Sequence, residues 1–314
     1  MLYGFDVGGT KIAFAVFDQN LNCLFSEQRP TPSDYASFMT LIGALVQQAD
    51  SQFSCIGSVG IGFPGTLNPQ DHSVNCANVA AIKGQQLGAD LSALLGRKVV
   101  LENDANCFLL SECYGGSADN CATVLAVTLG TGVGGAIFVN GAIQSGFNAL
   151  AGEIGHYPLP ATMLLKYPDL PKLTCGCGRQ LCLESYISGT GLSNLYLHYS
   201  QNNASQNNAQ NHPKTALQGP QIIEKYRAAD KTAMQVVDLY LDLLAAGLAT
   251  AILVLDPDAL ILGGGLSNLE LLPQALEKRL PEHLLKQVSL PKIRRATFGA
   301  TGGVRGAALL NQCA

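Results

Sequence analysis

Leu2-Tyr-Gly-Phe-Asp-Val-Gly-Gly-Thr-Lys-Ile-Ala-Phe-Ala-Val-Phe-Asp18 is two apolar, β-rich runs joined by a short glycine-containing turn, the pattern of a hairpin. A comparable unit recurs at Ala126-Val-Thr-Leu-Gly-Thr-Gly-Val-Gly-Gly-Ala-Ile-Phe-Val-Asn140, which sets Thr128 against Asp6, Gly130 against Gly8 and Asn140 against Asp18 without a gap. The apolar runs flank both turns in the same way, so the sequence predicts an internal duplication and two similar domains facing each other.

Working outward, Tyr35 to Ala49 has helical spacing, Ile56 to Phe63 reads as a buried strand, and Lys98 to Leu101 as another that ends at Glu102-Asn-Asp-Ala-Asn106. Residues 106 to 113 then look helical. Gln201 to His212 is an Asn/Gln-rich tract with almost no apolar residue and reads as a surface insertion. Gln221 to Leu255 returns to helical periodicity, Asp256-Pro-Asp258 breaks it, and Ala259 to Leu262 forms a strand running into Gly263-Gly-Gly265. Thr301 to Asn311 reads as a closing helix.

Composition removes several function classes. With 47% hydrophobic and 13% charged residues the chain can bury a substantial core and is not intrinsically disordered. Nineteen Lys and Arg against 23 Asp and Glu give a net charge of -4, without the diffuse basic field that nucleic-acid binding needs. No uninterrupted apolar stretch reaches the roughly 20 residues of a bilayer span, and Leu243 to Leu255, rich in Ala and Gly, reads as a buried helix. Met1 leads straight into the Tyr3–Val7 strand pattern without a basic region or apolar signal core, so a cytoplasmic protein is expected. In that compartment the ten cysteines stay reduced. Cys23, Cys55, Cys76, Cys107, Cys113, Cys121 and Cys313 read as small buried hydrophobes.

Three glycine-rich turns follow buried strands, at Gly8-Gly9-Thr10-Lys11, Gly130-Thr131-Gly132 and Gly263-Gly264-Gly265. Backbone amides approach phosphates closely only where side chains are absent, so the three are candidates for a nucleotide cradle. Gly130-x-Gly132-x-x-Gly135 formally matches the dinucleotide fingerprint, but that motif must open a helix, whereas Ala136-Ile-Phe-Val139 continues as a strand. The Gly-Lys-Ser/Thr ending of a Walker loop is absent, and no His-Arg-Asp or Asp-Phe-Gly accompanies the glycines as in protein kinases.

Asp104 stands where a strand ends. It reads either as an N-cap for the following helix or as the carboxylate that a kinase acting on a hydroxyl needs to accept the proton. Asn103 beside it, with donor and acceptor capacity, suits a sugar diol. His156 and Cys175-Gly-Cys177-Gly-Arg-Gln-Leu-Cys182 offer one imidazole and three thiolates, the complement of a closed structural zinc site. Glu153 and Glu184 flank this knot, either as surface acids or as acceptors for sugar hydroxyls fixed by the metal.

Asp6-Val-Gly-Gly-Thr-Lys11, Glu102-Asn-Asp-Ala-Asn106, Leu129-Gly-Thr-Gly-Val-Gly-Gly135, Gly152-Glu-Ile-Gly-His156, Cys175-Gly-Cys-Gly-x-x-x-Cys-x-Glu184 and Leu262-Gly-Gly-Gly265 resemble, in order and spacing, the ROK family of repressors, open reading frames and sugar kinases. The resemblance implies an α/β, actin-like ATPase (ribonuclease H-like) fold with two domains flanking a cleft. One would hold residues 1–120 and 298–314, the other 121–297 with the zinc knot. It further implies ATP phosphates on Gly8, Gly9, Thr10, Lys11, Thr131, Gly132, Val133 and Gly134, adenosine near Gly264 and Gly265, and Mg2+ held by Asp6 through water. Asp104 would be the catalytic base. Asn78, Asn103, Asp104, Glu153, His156 and Glu184 match positions that contact the sugar, and His156, Cys175, Cys177 and Cys182 would hold structural Zn2+. The stretches Asn75-Cys-Ala-Asn-Val79, Leu255-Asp-Pro-Asp258, Gly263-Gly-Gly-Leu-Ser-Asn268 and Arg279-Leu-Pro-Glu-His-Leu-Leu285 favour, within the family, phosphorylation of N-acetyl-D-glucosamine at its 6-hydroxyl. The alternatives are kinases of glucose, fructose or N-acetylmannosamine, and a sugar-sensing regulator without a DNA-binding domain, since the phosphate hairpin already starts at residue 3. A homodimer is a family-level expectation.

Overall fold

A computed structural model describes residues 1–206 and 216–312. The chain divides into two compact units: residues 1–122, 136–151 and 296–314 form the first, and residues 123–135 and 152–295 the second.

The first unit contains β1 (Leu2–Val7), β2 (Lys11–Phe17), β3 (Cys23–Pro30), α1 (Tyr35–Phe53), β4 (Ser58–Phe63), the short pair β5 (Thr66–Leu67) and β6 (Val74–Asn75), α2 (Leu87–Leu95), β7 (Val99–Asn103) and α3 (Asp104–Cys113). β1 and β2 form the hairpin that the sequence predicts, with Val7 opposite Ile12. The sheet order is β3-β2-β1-β4-β7, antiparallel through β3, β2 and β1 and parallel through β1, β4 and β7. Alternation decides the faces. Tyr3, Phe5 and Val7 join Phe38, Ile42, Leu87 and Leu91 in one core with α1 and α2. Leu2, Gly4 and Asp6 face the other way, toward the closing helix α10 (Gly302–Leu309).

That second face is built from backbone-to-backbone approach. A Cβ on Gly4 would strike the carbonyl of Val304, one on Gly60 the carbonyl of Ala307, and one on Gly306 the carbonyl of Cys107 in α3. Glu112, fully buried in α3, accepts hydrogen bonds from the amides of Ser117, Thr297 and Phe298 and from the Ser117 hydroxyl at 2.7–3.0 Å, fixing the segment that leads into α10.

The second sheet has the order β10-β9-β8-β11-β12, from β8 (Thr123–Leu129), β9 (Val133–Val139), β10 (Ala142–Ile143), β11 (Ala259–Gly263) and β12 (Lys292–Arg295). β11 lies parallel between β8 and β12. The helices of the second unit are α4 (Ala161–Lys166), α5 (Glu184–Ile187), α6 (Gly189–Gln206), α7 (Gly219–Arg227), α8 (Lys231–Leu255) and α9 (Leu272–His283). Among the described residues only α8 is long and apolar enough to cross a membrane, yet 83% of its most apolar stretch is buried, which makes it a core helix. Its buried Asp242 accepts from Lys166 Nζ and Tyr167 Oη at 2.7 Å and lies 3.2 Å from His283 Nε2, so the charge is paired.

Several expectations need correction. Gln221 to Leu255 is two helices, because Ala229 takes a left-handed conformation and Asp230 caps α8 through the Ala233 amide. β4 begins at Ser58, and Ile56 is exposed. Residues 201–206 of the Asn/Gln-rich tract continue α6, and 207–212 lie outside the described residues. Cys76, Cys107 and Cys113 are buried, but Cys23 is exposed on the edge strand β3, Cys55 and Cys121 are half-buried, and Cys313 is not among the described residues.

Gly306→Ala should lower stability by about 1–3 kcal/mol or more, the scale of overpacking. Urea unfolding measures it, and an unchanged midpoint would rule out the backbone contact with α3.

Candidate active site

In the first unit the strand ends carry the predicted residues. Asp6 closes β1, and a Cβ on Gly303 would lie 2.6 Å from its Oδ2, so the start of α10 is moulded around this carboxylate. Burial pushes the Asp6 carboxyl above its ordinary value, against the opposing pull of the Lys11 ammonium. The β1–β2 turn closes with the Gly8 amide donating to the Lys11 carbonyl at 2.9 Å. Gly9 is seated on exposed Asn78, whose carbonyl would be 2.7 Å from a Cβ there.

α3 begins at Asp104, but its N-cap is Asn103, whose side-chain oxygen accepts from the amides of Ala105 and Asn106. The capping reading of Asp104 is therefore corrected by one residue. Asn103 Nδ2 also donates to the Gly65 carbonyl at 3.0 Å, so its carbonyl is occupied and its capacity toward a ligand is an amide N–H. Burial first, then the negative charges of Glu102, Asp6 and Asp104, push the Cys107 thiol well up. Glu102 is tied by the Asn103 amide, Asn106 Nδ2 and Ser145 Oγ at 2.8–3.1 Å. Asp104 Oδ1 accepts from the Ala105 amide at 2.9 Å, at the positive end of the helix.

In the second unit the β8–β9 turn borders a cavity of about 600 Å³ lined by Gly130, Thr131, Gly189, Thr190, Gly265 and Asn268 among others. Gly264 has φ +79° and packs on the Leu129 backbone, which holds Gly265 at the cavity wall. The amides of Val133 and Gly134 donate inside the chain, to Glu184 Oε2 at 2.9 Å and Thr128 Oγ1 at 3.2 Å. Gly189, Thr190 and Gln218 were not anticipated. The glycines of Ser188-Gly-Thr-Gly191 were the available signal for the first two.

His156, Cys175, Cys177 and Cys182 come together, with their ligand atoms all within 4.8 Å of one another. Cys177 and Cys182 sulfurs are 3.6 Å apart, and His156 Nδ1 is 3.7 Å from Cys175 Sγ. A tetrahedral zinc ion with Zn–S of about 2.3 Å has ligand separations of about 3.7 Å, so the donor set and its spacing fit. The backbone and side chain of Arg179 hold the Cys177 thiol down at about 6, a thiolate at neutral pH. Glu184 joins the knot to the glycine turn: one oxygen receives the Val133 amide and the other lies 3.6 Å from Cys175 Sγ. On the far side of the imidazole, Nε2 is 3.9 Å from Glu153 Oε2.

The first unit thus collects Asp6, Gly8 to Lys11, Asn78, Asn103 and Asp104, and the second Thr131 to Gly134, Glu153, His156, Glu184, the three cysteines, Gly264 and Gly265. A protein named N-acetyl-D-glucosamine kinase from Yersinia enterocolitica is 45% identical over 313 residues, 99% of each chain. One of the same name from Escherichia coli O139:H28 is 44% identical with the same coverage. Among solved structures, the ROK hexokinase from Thermus thermophilus matches with a TM-score of 0.81 and 28% identity over 98% of this chain and 96% of its own. A ROK family glucokinase from Streptomyces griseus, in complex with glucose and AMPPNP, gives 0.76 and 30% over 98% of both. The fold is that of the actin-like ATPases. The ROK family pattern itself runs from residue 2 to residue 313, and the chain belongs to the ROK family.

Proposed function

We propose that the chain is a kinase that transfers a phosphoryl group from ATP to the 6-hydroxyl of N-acetyl-D-glucosamine, with Asp104 as the proton acceptor. The observation that carries this reading is the full-length identity of 44–45% to proteins named for that activity, joined to an intact Asp104 at the start of α3. Asp104 takes the proton as the sugar oxygen attacks. Gly8 to Lys11 and the amides of Thr131 and Gly132 bind phosphate oxygens, and the cavity beside Gly265 receives the adenosine. A divalent ion, Mg2+ in this reading, neutralises phosphate charge when bound with ATP, and Asp6 is the residue that would orient its water shell.

Glu153 and Glu184 accept from ring hydroxyls of the sugar. The gap of 3.9 Å between Glu153 Oε2 and His156 Nε2 is too long for a direct hydrogen bond and is of a size that one hydroxyl bridges. Asn78 and Asn103 offer amide groups to the remaining polar positions. The zinc assignment rests on the thiolate spacing: Zn2+ held by His156, Cys175, Cys177 and Cys182 has four protein ligands and a structural role. A cytoplasmic location and a homodimer belong to the same reading.

Asp104→Asn should keep the fold and sugar binding while turnover falls by about 10²-fold or more, the scale of general-base removal. A purified variant with wild-type turnover would reject Asp104 as the base.

Protein purified without chelators should contain one zinc per chain, and Cys177→Ser should lose zinc and thermal stability together. Metal analysis with no zinc, or a variant that retains it, would count against the knot.

With saturating MgATP, N-acetylglucosamine should exceed glucose in kcat/KM by at least about tenfold, because a buried polar contact left unpaired by the missing acetamido group is worth about 1–3 kcal/mol. Equal or reversed constants would move the chain to another hexose.

A further inference from the structure

The glycines that let the two turns approach a ligand also create a problem. A peptide unit between such residues can rotate at little steric cost, and a rotated unit offers its carbonyl oxygen where its N–H had been. Toward a phosphate this exchanges attraction for repulsion. A glycine turn is an anion cradle only if its carbonyls are held elsewhere.

In the second turn all three are, and in the first those of Gly8, Thr10 and Lys11 are. In the first unit the Gly8 carbonyl accepts from Thr31 Oγ1 at 2.6 Å, the Thr10 carbonyl from the Thr31 amide at 3.1 Å, and the Lys11 carbonyl from the Gly8 amide at 2.9 Å. In the second, the Gly130 carbonyl accepts from the Gly189 amide at 2.7 Å, the Thr131 carbonyl from Thr190 Oγ1 at 2.9 Å, and the Gly132 carbonyl from the Gly130 amide at 3.0 Å. The trans peptide is planar, with C=O and N–H pointing in opposite directions. A hydroxyl on the Gly8 carbonyl therefore fixes the Gly9 N–H, and a hydroxyl on the Thr131 carbonyl fixes the Gly132 N–H. Among the described hydrogen bonds no group of the chain accepts from either amide.

We propose that Thr31 and Thr190 are positioning residues for the triphosphate: through one hydroxyl each they lock the Gly8–Gly9 and Thr131–Gly132 peptides with N–H outward, so that each turn meets the phosphates preorganised. This rests on the kinase reading above. The two threonines lie on unrelated elements, one just after β3 and the other in the first turn of α6. The duplicated hairpins thus share the device although the residues supplying it fall outside the repeat.

The test uses the full chain with Thr31→Val and Thr190→Val, which keep the β-branched shape and remove only the hydroxyl, and Thr31→Ser and Thr190→Ser, which restore it. Calorimetry measures Kd for a non-hydrolysable ATP analogue with magnesium and, separately, for adenosine. Each valine variant should weaken the analogue by roughly fivefold or more, the worth of one hydrogen bond. In Thr31→Val, which lies outside the cavity given to adenosine, adenosine binding should stay at its wild-type value; in both valine variants the KM for the sugar and the melting temperature should be unchanged, and each serine variant should recover most of the loss. Analogue affinity within twofold of wild type in both valine variants overturns the proposal. So does an equal loss of adenosine affinity in Thr31→Val, or a loss that serine fails to restore at either position, since each marks a role in general pocket structure. If the wild-type chain transfers phosphate from ATP to no hexose, the kinase reading fails by that assay, which is separate from the binding comparison.

Discussion

Each unit is organised around a hairpin whose turn has most of its carbonyl oxygens held by hydrogen bonds within the chain. The hairpins sit in the interior of their sheets, β1 between β2 and β4 and β8 between β9 and β11. Strand pairing on both sides leaves those turns little freedom as bodies. What strand pairing cannot fix is the direction of individual peptide dipoles at a glycine. Hydrogen bonds from neighbouring segments do that, so the electrostatic character of each turn depends on where α6 and the end of β3 pack. Fold and binding chemistry meet at this point.

Glu184 performs a comparable task between the thiol knot and the β8–β9 turn. Its carboxylate receives the Val133 amide while approaching Cys175, and a Cβ on Gly132 would lie 2.7 Å from the same oxygen. Behind it, Leu183 packs into the space left by Gly247 in the core helix α8. The loop that carries the cysteines is further held by Tyr186, whose hydroxyl donates to the Pro171 carbonyl and accepts from the Leu173 amide. The cysteine-bearing loop therefore takes its position from the unit's core on one side and passes it to the glycine turn on the other.

Much of this was legible because period and punctuation carried it. The hairpins, β4, β7, β11, α1, α3 and α10 follow from apolar runs bounded by glycine or acidic residues, and the cluster of Cys175, Cys177 and Cys182 from their spacing, with His156 joining it from a glycine-shaped turn. β3, with exposed Gln28 to Pro30 at its end, and β12, Lys-Ile-Arg-Arg, lack the alternation that marks a half-buried strand, because both are sheet edges. α9 carries Pro281 inside the helix, which sequence reasoning takes as a break. Asn103 and Asp104 are both capping residue types, and only the backbone of α3 decides between them. Thr31 has no sequence signature, and Thr190 has only the flanking glycines of Ser188-Gly-Thr-Gly191. A hydroxyl that serves another segment's carbonyl is visible only once the chain has folded.

The seating of α10 against β1 and β4 also sets an order on biosynthesis. About 180 residues separate Ala122 from Gly302, and at ribosomal speeds of about 5–20 residues per second they take roughly 10–40 s to make. Throughout that interval the nascent first sheet lacks α10, the helix whose backbone fits against Gly4 and Gly60. The second unit, by contrast, has β8, α8, β11 and β12 in hand as soon as Arg295 emerges. The part of the polypeptide translated first is thus the last to be finished, and a chain cut short between Arg295 and Gly302 has its second unit complete and its first without α10.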